Sequence, residues 1–315
     1  MKKKKRRLRK KRIRNCLIGL ILLIGVGIGG FSYFQYIHSN SYLLKQIGYQ
    51  KDEIEIILKQ SPKEIDTILK KEYHKNMVSL LQEQYFLLDH LDRYLAYSKK
   101  HPNKSMKDVV TLVNVNRDRE FYENSKKTDT SKKELMLVNK YYALGKDYQP
   151  TNIVSISNQY CYGENEIKEE VFDAFLDMWN AAKKENLTLI ITSSYRDYET
   201  QEILWNRYKD QQGQAWADSI SARAGSSEHQ TGYTLDIVTY NSILNDFENT
   251  DEFKWLQKHA HEYGFILRYP KGKEDITGYD YESWHYRYVG VDVAKKIHEL
   301  GITFDEYYAY FIENK

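Results

Sequence analysis

Apolar positions are most concentrated near the start of the chain, directly after a run of basic ones. The first fourteen residues hold eleven Lys and Arg, and no Asp, Glu, Lys or Arg occurs from Asn15 to Leu44. Residues 16–37 are enough to cross a bilayer as a transmembrane helix. The basic residues predict a cytoplasmic tail at 1–15, with all later residues outside a single-pass membrane protein. A cleaved signal peptide is the alternative, but the aromatic residues that follow favour a retained anchor.

A helical pattern follows at residues 41–115. The sequence Ser61-Pro62-Lys63-Glu64 is typical of a capped helix start, with Pro at the first helical position. Because the stripes that follow most often form a core face rather than a binding groove, we predict a helical stalk or small domain, then a polar loop at 116–136. The apolar residues at helical spacing are Ile65, Ile68, Leu69, Met77, Leu80, Leu81, Tyr85, Leu88 and Leu91.

After residue 137 the pattern mixes helix and strand. An amphipathic helix is predicted at Glu164–Glu185, and a continuously apolar run predicts a buried strand over residues 187–192. That strand leads into a loop ending at Arg196, and a helix carrying Gln201 begins soon after. The alternation is compatible with an α+β domain but does not establish one.

Net charge excludes one class of partner. The formal charge is +3, but without the eleven basic residues of the tail the balance is 36 Lys and Arg against 44 Asp and Glu, or about −8. A nucleic-acid-binding protein would show the opposite balance, so we expect no nucleic-acid partner. Of the two cysteines only Cys161 lies beyond the apolar section, so no intrachain disulfide can form there.

The candidate chemistry lies in two short motifs. The stretch from Ser226 to Asp236 reads S-S-E-H-Q-T-G-Y-T-L-D and holds His229 and Asp236, close enough for a turn to aim both at one point. The second motif places Glu282 three residues before His285. Two His and one Asp suit a tetrahedral Zn²⁺ whose fourth position stays open for water, as in catalytic zinc sites. Glu282 is then the group beside that water.

The spacing of the second motif predicts a bend in the chain. Residues three apart on a regular strand point to opposite faces, so Glu282 and His285 share a cleft only where the chain bends or is helical. The aromatic and β-branched residues that follow favour a strand. We therefore predict a strand that is entered through a bend around Ser283.

These motifs resemble the VanY-type family of zinc D,D- and L,D-carboxypeptidases, which share the pattern SxHxxGxAxD followed later by ExxH. The resemblance extends from about residue 137 to residue 310. Thr234 stands where the family usually has Ala, and Ser283 where Pro is frequent, but neither departure removes a ligand. The matching residues are Ser227, His229, Gly232, Asp236, Glu282 and His285.

The resemblance implies a zinc carboxypeptidase domain at residues 137–315. Its expected fold is α+β, with a mainly antiparallel sheet and flanking helices, and with the transmembrane helix and the small helical region before it. The implied cofactor is Zn²⁺, held by His229, Asp236 and His285. Glu282 is the implied general base, which takes a proton from the attacking water.

Three further positions are expected to contact substrate. Arg196 falls on the family's substrate and transition-state contact. Taken alone, it would be interpreted as a surface arginine paired with Asp197 or Glu199, since exposed ion pairs are common. Gln201 and Ser227 match positions that line the same pocket.

The implied activity is removal of one C-terminal D-alanine from peptidoglycan stem peptides. D,D activity on a pentapeptide is slightly favoured over L,D activity on a tetrapeptide. A zinc-bearing module that binds wall peptides without cutting them is a hypothesis of another class, although the presence of Glu282 argues against it. A third hypothesis is an envelope protein that acts mainly through its helical region.

Overall fold

The structure is a computed structural model and describes residues 31–32, 34–240, 242 and 244–313. The chain divides into two compact units, residues 1–99 and 100–315. All the candidate catalytic and metal-binding residues belong to the second unit.

The first unit is helical in its described part. Ser61 accepts a hydrogen bond from the Glu64 backbone, and the Glu64 side chain accepts one from the Ser61 backbone, which confirms the predicted capping box. Apolar side chains such as Ile57 and Ile68 pack into one core. The helices are α1 Asn40–Ile47, α2 Lys51–Ile57, α3 Pro62–Ile68, α4 Met77–Leu81 and α5 Leu91–Lys100.

The second unit is organised around a four-stranded sheet. The strands are β1 Lys126–Lys127, β2 Tyr142–Ala143, β3 Ile153–Ser155, β4 Glu166–Lys168, β5 Ile190–Ser193, β6 Thr234–Val238, β7 Phe265–Tyr269 and β8 Glu282–Tyr288. The large sheet has the order β5-β6-β8-β7, and all its neighbouring strands are antiparallel. The other four strands form two small sheets, β1 with β2 in parallel and β3 with β4 antiparallel.

Helices flank this sheet. The apolar face of the helix Glu169–Lys184 shares a core with the sheet, in which Phe175 and Met178 pack with Ile190 and Leu235. A second apolar cluster joins β7 to the C-terminal helices through Ile266, among others. The helices are α6 Met106–Asn114, α7 Glu169–Lys184, α8 Tyr198–Gln212, α9 Gln214–Ile220, α10 Asp251–His259, α11 Glu274–Thr277, α12 Val291–Leu300 and α13 Phe304–Tyr308.

The predicted mixture of helices with a mainly antiparallel sheet is confirmed, with local corrections. The helix predicted from Glu164 begins at Glu169, because residues 166–168 pair as a strand with β3. The strand predicted over residues 187–192 is β5, displaced toward the C-terminus.

The predicted transmembrane helix is corrected. In the part of the chain that the structure describes, no helix is both long enough and apolar enough to cross a membrane. Residues 16–30 and 33 of the predicted span at 16–37 lie outside the described residues. The predicted single-pass membrane location is corrected on the same finding.

Candidate active site

The first motif forms a tight turn that leads into the central sheet. His229 lies in a 3₁₀ turn, Glu228–Thr231, which ends at Gly232 in the left-handed conformation with φ of 72°. A Cβ atom at Gly232 would lie only 2.9 Å from Cγ of Lys168, so the turn requires glycine. The chain then enters β6, which carries Asp236.

The second motif lies on the neighbouring strand. His285 of β8 pairs directly with Asp236 of β6. Leu267 pairs with Tyr286 and Tyr269 pairs with Glu282, so two steps along β7 match four along β8. This irregularity is the bend predicted around Ser283. It lets Glu282 and His285, three residues apart, face the same cleft.

Three side chains meet at the floor of this cleft. Donor atoms of His229, Asp236 and His285 all lie within 4.8 Å of one another. His229 Nε2 is 3.5 Å from Asp236 Oδ2, and His285 Nδ1 is 3.4 Å from Asp236 Oδ1. Glu282 Oε2 is 3.2 Å from His285 Nδ1, so this carboxylate stands beside the group.

The donor set fits a zinc ion. His229 Nδ1 lies 2.6 Å from the carbonyl oxygen of Ser194, which orients the ring and leaves Nε2 toward the other donors. Asp236 Oδ1 is buried without a hydrogen-bond partner among the described residues. Two imidazoles and one carboxylate with an open fourth position match a catalytic zinc site.

The pKa values of the three candidate ligands are shifted because their side chains are buried and lie close to other charged groups. Burial, with the charge of Glu282, raises the pKa of Asp236 to about 6 despite the nearby His285. Burial lowers the pKa of His285, but Glu228 and Glu282 outweigh it and raise that pKa to about 9. Burial and the charge of Arg196 hold the pKa of His229 well below its usual value. A cation among these groups stabilises each of them in its ligating form.

Arg196 follows β5 and is held by neutral partners. Its guanidinium donates to Ser193 Oγ at 2.7 Å and to Gln201 Oε1 at 2.8 Å. Asp197 caps α8 instead, and Glu199 pairs with Lys146. Arg196 therefore forms no ion pair with any carboxylate that the structure describes, which removes the surface-pair interpretation.

Gln201 is buried and connects Arg196 to the cavity wall. Its amide donates to Ser221 Oγ and to the carbonyl oxygen of Ala222. The cavity has a volume of about 320 Å³. The structure brings all seven predicted site residues to its lining: Arg196, Gln201, Ser227, His229, Asp236, Glu282 and His285.

The cavity also contains residues that sequence reasoning missed. The ring of Tyr269 lies 4.7 Å from that of His285, and Trp284 lines the same cavity. Glu228, next to His229, is fully buried behind His285. The signal for Glu228 was its place inside the first motif, beside a candidate ligand.

Known proteins resemble this chain over a large part of its length. The model of the family VanY, D-alanyl-D-alanine carboxypeptidase, matches residues 164–291. The putative carboxypeptidase YodJ of Bacillus subtilis is 42% identical over 181 residues, which are 55% of this chain and 66% of that protein. A D-alanyl-D-alanine carboxypeptidase of Enterococcus faecium is 31% identical over 243 residues, which are 70% of this chain and 77% of that protein.

Solved structures give the same result. The LdcB LD-carboxypeptidase is similar with a TM-score of 0.56 and 39% identity, over 59% of this chain and 90% of that one. The predicted family and the predicted Zn²⁺ cofactor are confirmed, and the donor atoms of His229, Asp236 and His285 lie close enough together to fit such an ion. The chain belongs to the VanY family of zinc-dependent D-alanyl-D-alanine carboxypeptidases.

Proposed function

We propose that this enzyme removes the C-terminal D-alanine of peptidoglycan pentapeptide stems, as a D,D-carboxypeptidase. One observation carries the proposal: a donor group for zinc, a carboxylate, and an arginine that has no acidic partner among the described residues line one cavity. Relatives named D-alanyl-D-alanine carboxypeptidase support the choice of substrate.

The proposed ligands are His229 through Nε2, Asp236, and His285 through Nδ1, because these atoms face one another. Bound Zn²⁺ supplies Lewis acidity that polarises a carbonyl group and lowers the pKa of water toward about 7. Glu282 stands beside His285 Nδ1. In this position its carboxylate takes the proton from the attacking water and later delivers it to the departing D-alanine amine.

Arg196 is proposed to stabilise the negative charge that develops on the substrate carbonyl oxygen. Its contacts with Ser193 and Gln201 fix the guanidinium before substrate arrives, so little reorganisation is needed in the transition state. Gln201 is thus proposed to act through Arg196. Ser227 borders the cavity and is proposed to contact the peptide.

L,D activity on tetrapeptide stems is the second candidate. The observation that favours it is the likeness to LdcB, an LD-carboxypeptidase that shares 39% identity with this chain. The two activities use the same metal and base. They differ in the configuration of the residue before the cut.

The test uses the purified full-length enzyme loaded with Zn²⁺. It is incubated separately with a pentapeptide stem and a tetrapeptide stem, each ending in D-alanine, with and without a chelator. Mass spectrometry follows the loss of one alanine. We expect chelator-sensitive trimming of the pentapeptide; trimming of the tetrapeptide alone selects L,D activity. A zinc-bound enzyme that trims neither stem contradicts the proposal.

A further inference from the structure

A buried set of charges lies directly behind the metal-facing side chains. Glu228 is 1% exposed, and its Oε1 atom lies 2.7 Å from Arg268 Nε and 3.1 Å from Arg287 Nη1. Arg268 in turn bonds Asp305 at 2.6 Å. Both guanidinium groups are fully buried. Their attraction for an anion fixes the position of this carboxylate.

The second oxygen of Glu228 faces a metal-binding side chain. Oε2 lies 3.5 Å from His285 Nε2, which is longer than an ordinary hydrogen bond. Both atoms are buried, and neither has a hydrogen-bond partner elsewhere in the described part of the chain. Each is therefore the partner available to the other, and a small movement of the ring completes the bond.

The two histidines present opposite nitrogens to their supports. His229 Nδ1 lies against the carbonyl oxygen of Ser194, whereas His285 Nε2 lies against Glu228. A carbonyl or carboxylate oxygen only accepts, so in the zinc-bound enzyme each supported nitrogen carries the proton and the opposite nitrogen keeps its lone pair for the metal. The nitrogens that face the metal are Nε2 of His229 and Nδ1 of His285, which also face Asp236. Glu282 Oε2, 3.2 Å from His285 Nδ1, is likewise only an acceptor, so this assignment applies to the zinc-bound site.

We propose that Glu228 is a positioning residue, which accepts the Nε2 proton of His285 and thereby directs Nδ1 of that ring to the metal. The inference rests on the ligand set proposed above. It assigns opposite tautomers to the two histidine ligands. Support of this kind typically changes metal affinity by about 10- to 100-fold.

A purely structural role for Glu228 would be to neutralise the two buried arginines. The substitution Glu228→Gln separates the two roles. Because Arg268 and Arg287 only donate, they hold the oxygen of the introduced amide and turn its NH₂ group toward His285. That NH₂ group requires an acceptor at Nε2, so it favours the tautomer with the proton on Nδ1, where the metal should bind.

The matched control is Asp305→Asn. Asp305 also neutralises Arg268 but forms its other side-chain bond with Asn139, away from His285. Zinc affinity is measured by competition with a chromophoric chelator. We expect about 10- to 100-fold weaker zinc binding for Glu228→Gln and a change of less than about threefold for Asp305→Asn. Wild-type affinity in Glu228→Gln, or equal losses in both variants, overturns the inference.

A second measurement needs no substitution. Nitrogen-15 NMR of the zinc-loaded wild-type enzyme reports which ring nitrogen carries the proton. We expect the proton on Nδ1 in His229 and on Nε2 in His285; the same tautomer in both rings overturns the inference even if Glu228→Gln fails to fold. Zinc retained in His285→Ala would instead overturn the proposed ligand set, so the two failures are distinguishable.

Discussion

The two compact units bury different kinds of side chain. In the described part of the first unit the buried residues are apolar or aromatic apart from Ser98. The second unit also buries charged side chains, including Lys140, Glu228, Arg268 and Arg287. Burying an ion costs several kcal/mol unless it is paired and hydrogen-bonded, so these charges need a specific arrangement around them.

The arrangement differs within the second unit as well. Glu228, Arg268 and Asp305 neutralise one another away from solvent, whereas Arg196 has no carboxylate partner among the described residues. Asp236 lies beside His229 and His285, which act as its counter-ions only when they are protonated. Charged groups of this kind cluster where a ligand supplies a partner. Changes at the charged groups of the cavity should therefore alter chemistry, and changes in the apolar core of the first unit should alter stability alone.

The largest effect is expected at Glu282. Glu282→Ala removes the proposed base but none of the proposed ligands, so we expect turnover to fall by about a hundredfold to ten-thousandfold with zinc still bound. Metal content by mass spectrometry and peptide release by chromatography check this. His229→Ala is the contrasting variant and should lose both zinc and activity. A Glu282→Ala enzyme that had lost its zinc would place this carboxylate among the ligands instead.

A smaller fall in kcat is expected for a substitution of Arg196. Arg196→Ala removes the proposed stabilisation of the developing oxyanion, so kcat should fall by about a hundredfold or more with zinc affinity unchanged. Arg207, exposed on α8 outside the cavity, gives a control: Arg207→Ala should keep wild-type kcat. Equal effects of the two substitutions would contradict a specific role for Arg196.

Substitutions in the core of the first unit test whether stability can change there while activity stays the same. Ile57 is fully buried, and Ile57→Ala should destabilise this unit by about 2 to 5 kcal/mol while leaving kcat/KM for stem peptides unchanged. The adjacent Leu58 is exposed, so Leu58→Ala should change stability by less than about 0.5 kcal/mol. Chemical denaturation and peptide assays at low denaturant measure both. A loss of activity in folded Ile57→Ala would break the contrast between the units.

The sequence predicted the candidate ligands and the candidate base better than it predicted the buried residues behind them. His229, Asp236, Glu282 and His285 could be found because residue type and spacing along the chain already express the chemistry of zinc hydrolysis. The bend that aligns two of them followed from the two-residue repeat of a strand. The mixture of helices with a mainly antiparallel sheet was implied by the resemblance to the VanY-type family.

What escaped sequence reasoning depends on contacts between distant segments. Glu228 is an ordinary acidic residue until Arg268 and Arg287, on two later strands, enclose it. The residues of β4 follow a helical pattern locally but pair with β3. Tertiary pairing thus overrode local preference at one position and created a buried charge at the other.

The smallest effect is expected at Lys140, a buried cation that does not line the active-site cavity. It is 2% exposed, donates to the carbonyl oxygens of Asp218 and Gly278, and lies over the ring of Tyr279. Burial lowers its pKa to about 8 from an ordinary 10.5.

This lowered pKa of Lys140 links the stability of the protein to pH. Between about pH 8 and pH 10.5 the unfolded chain holds the proton that the folded protein releases. Lys140 therefore makes the free energy of unfolding rise with pH, by on the order of 1 kcal/mol per pH unit. Denaturation curves from about pH 7.5 to about pH 10 should therefore rise less steeply, or fall more steeply, for Lys140→Met than for wild type. Parallel curves would mean that Lys140 keeps an ordinary pKa in the folded protein. Burial in this unit would then leave the protonation of its ammonium group unchanged.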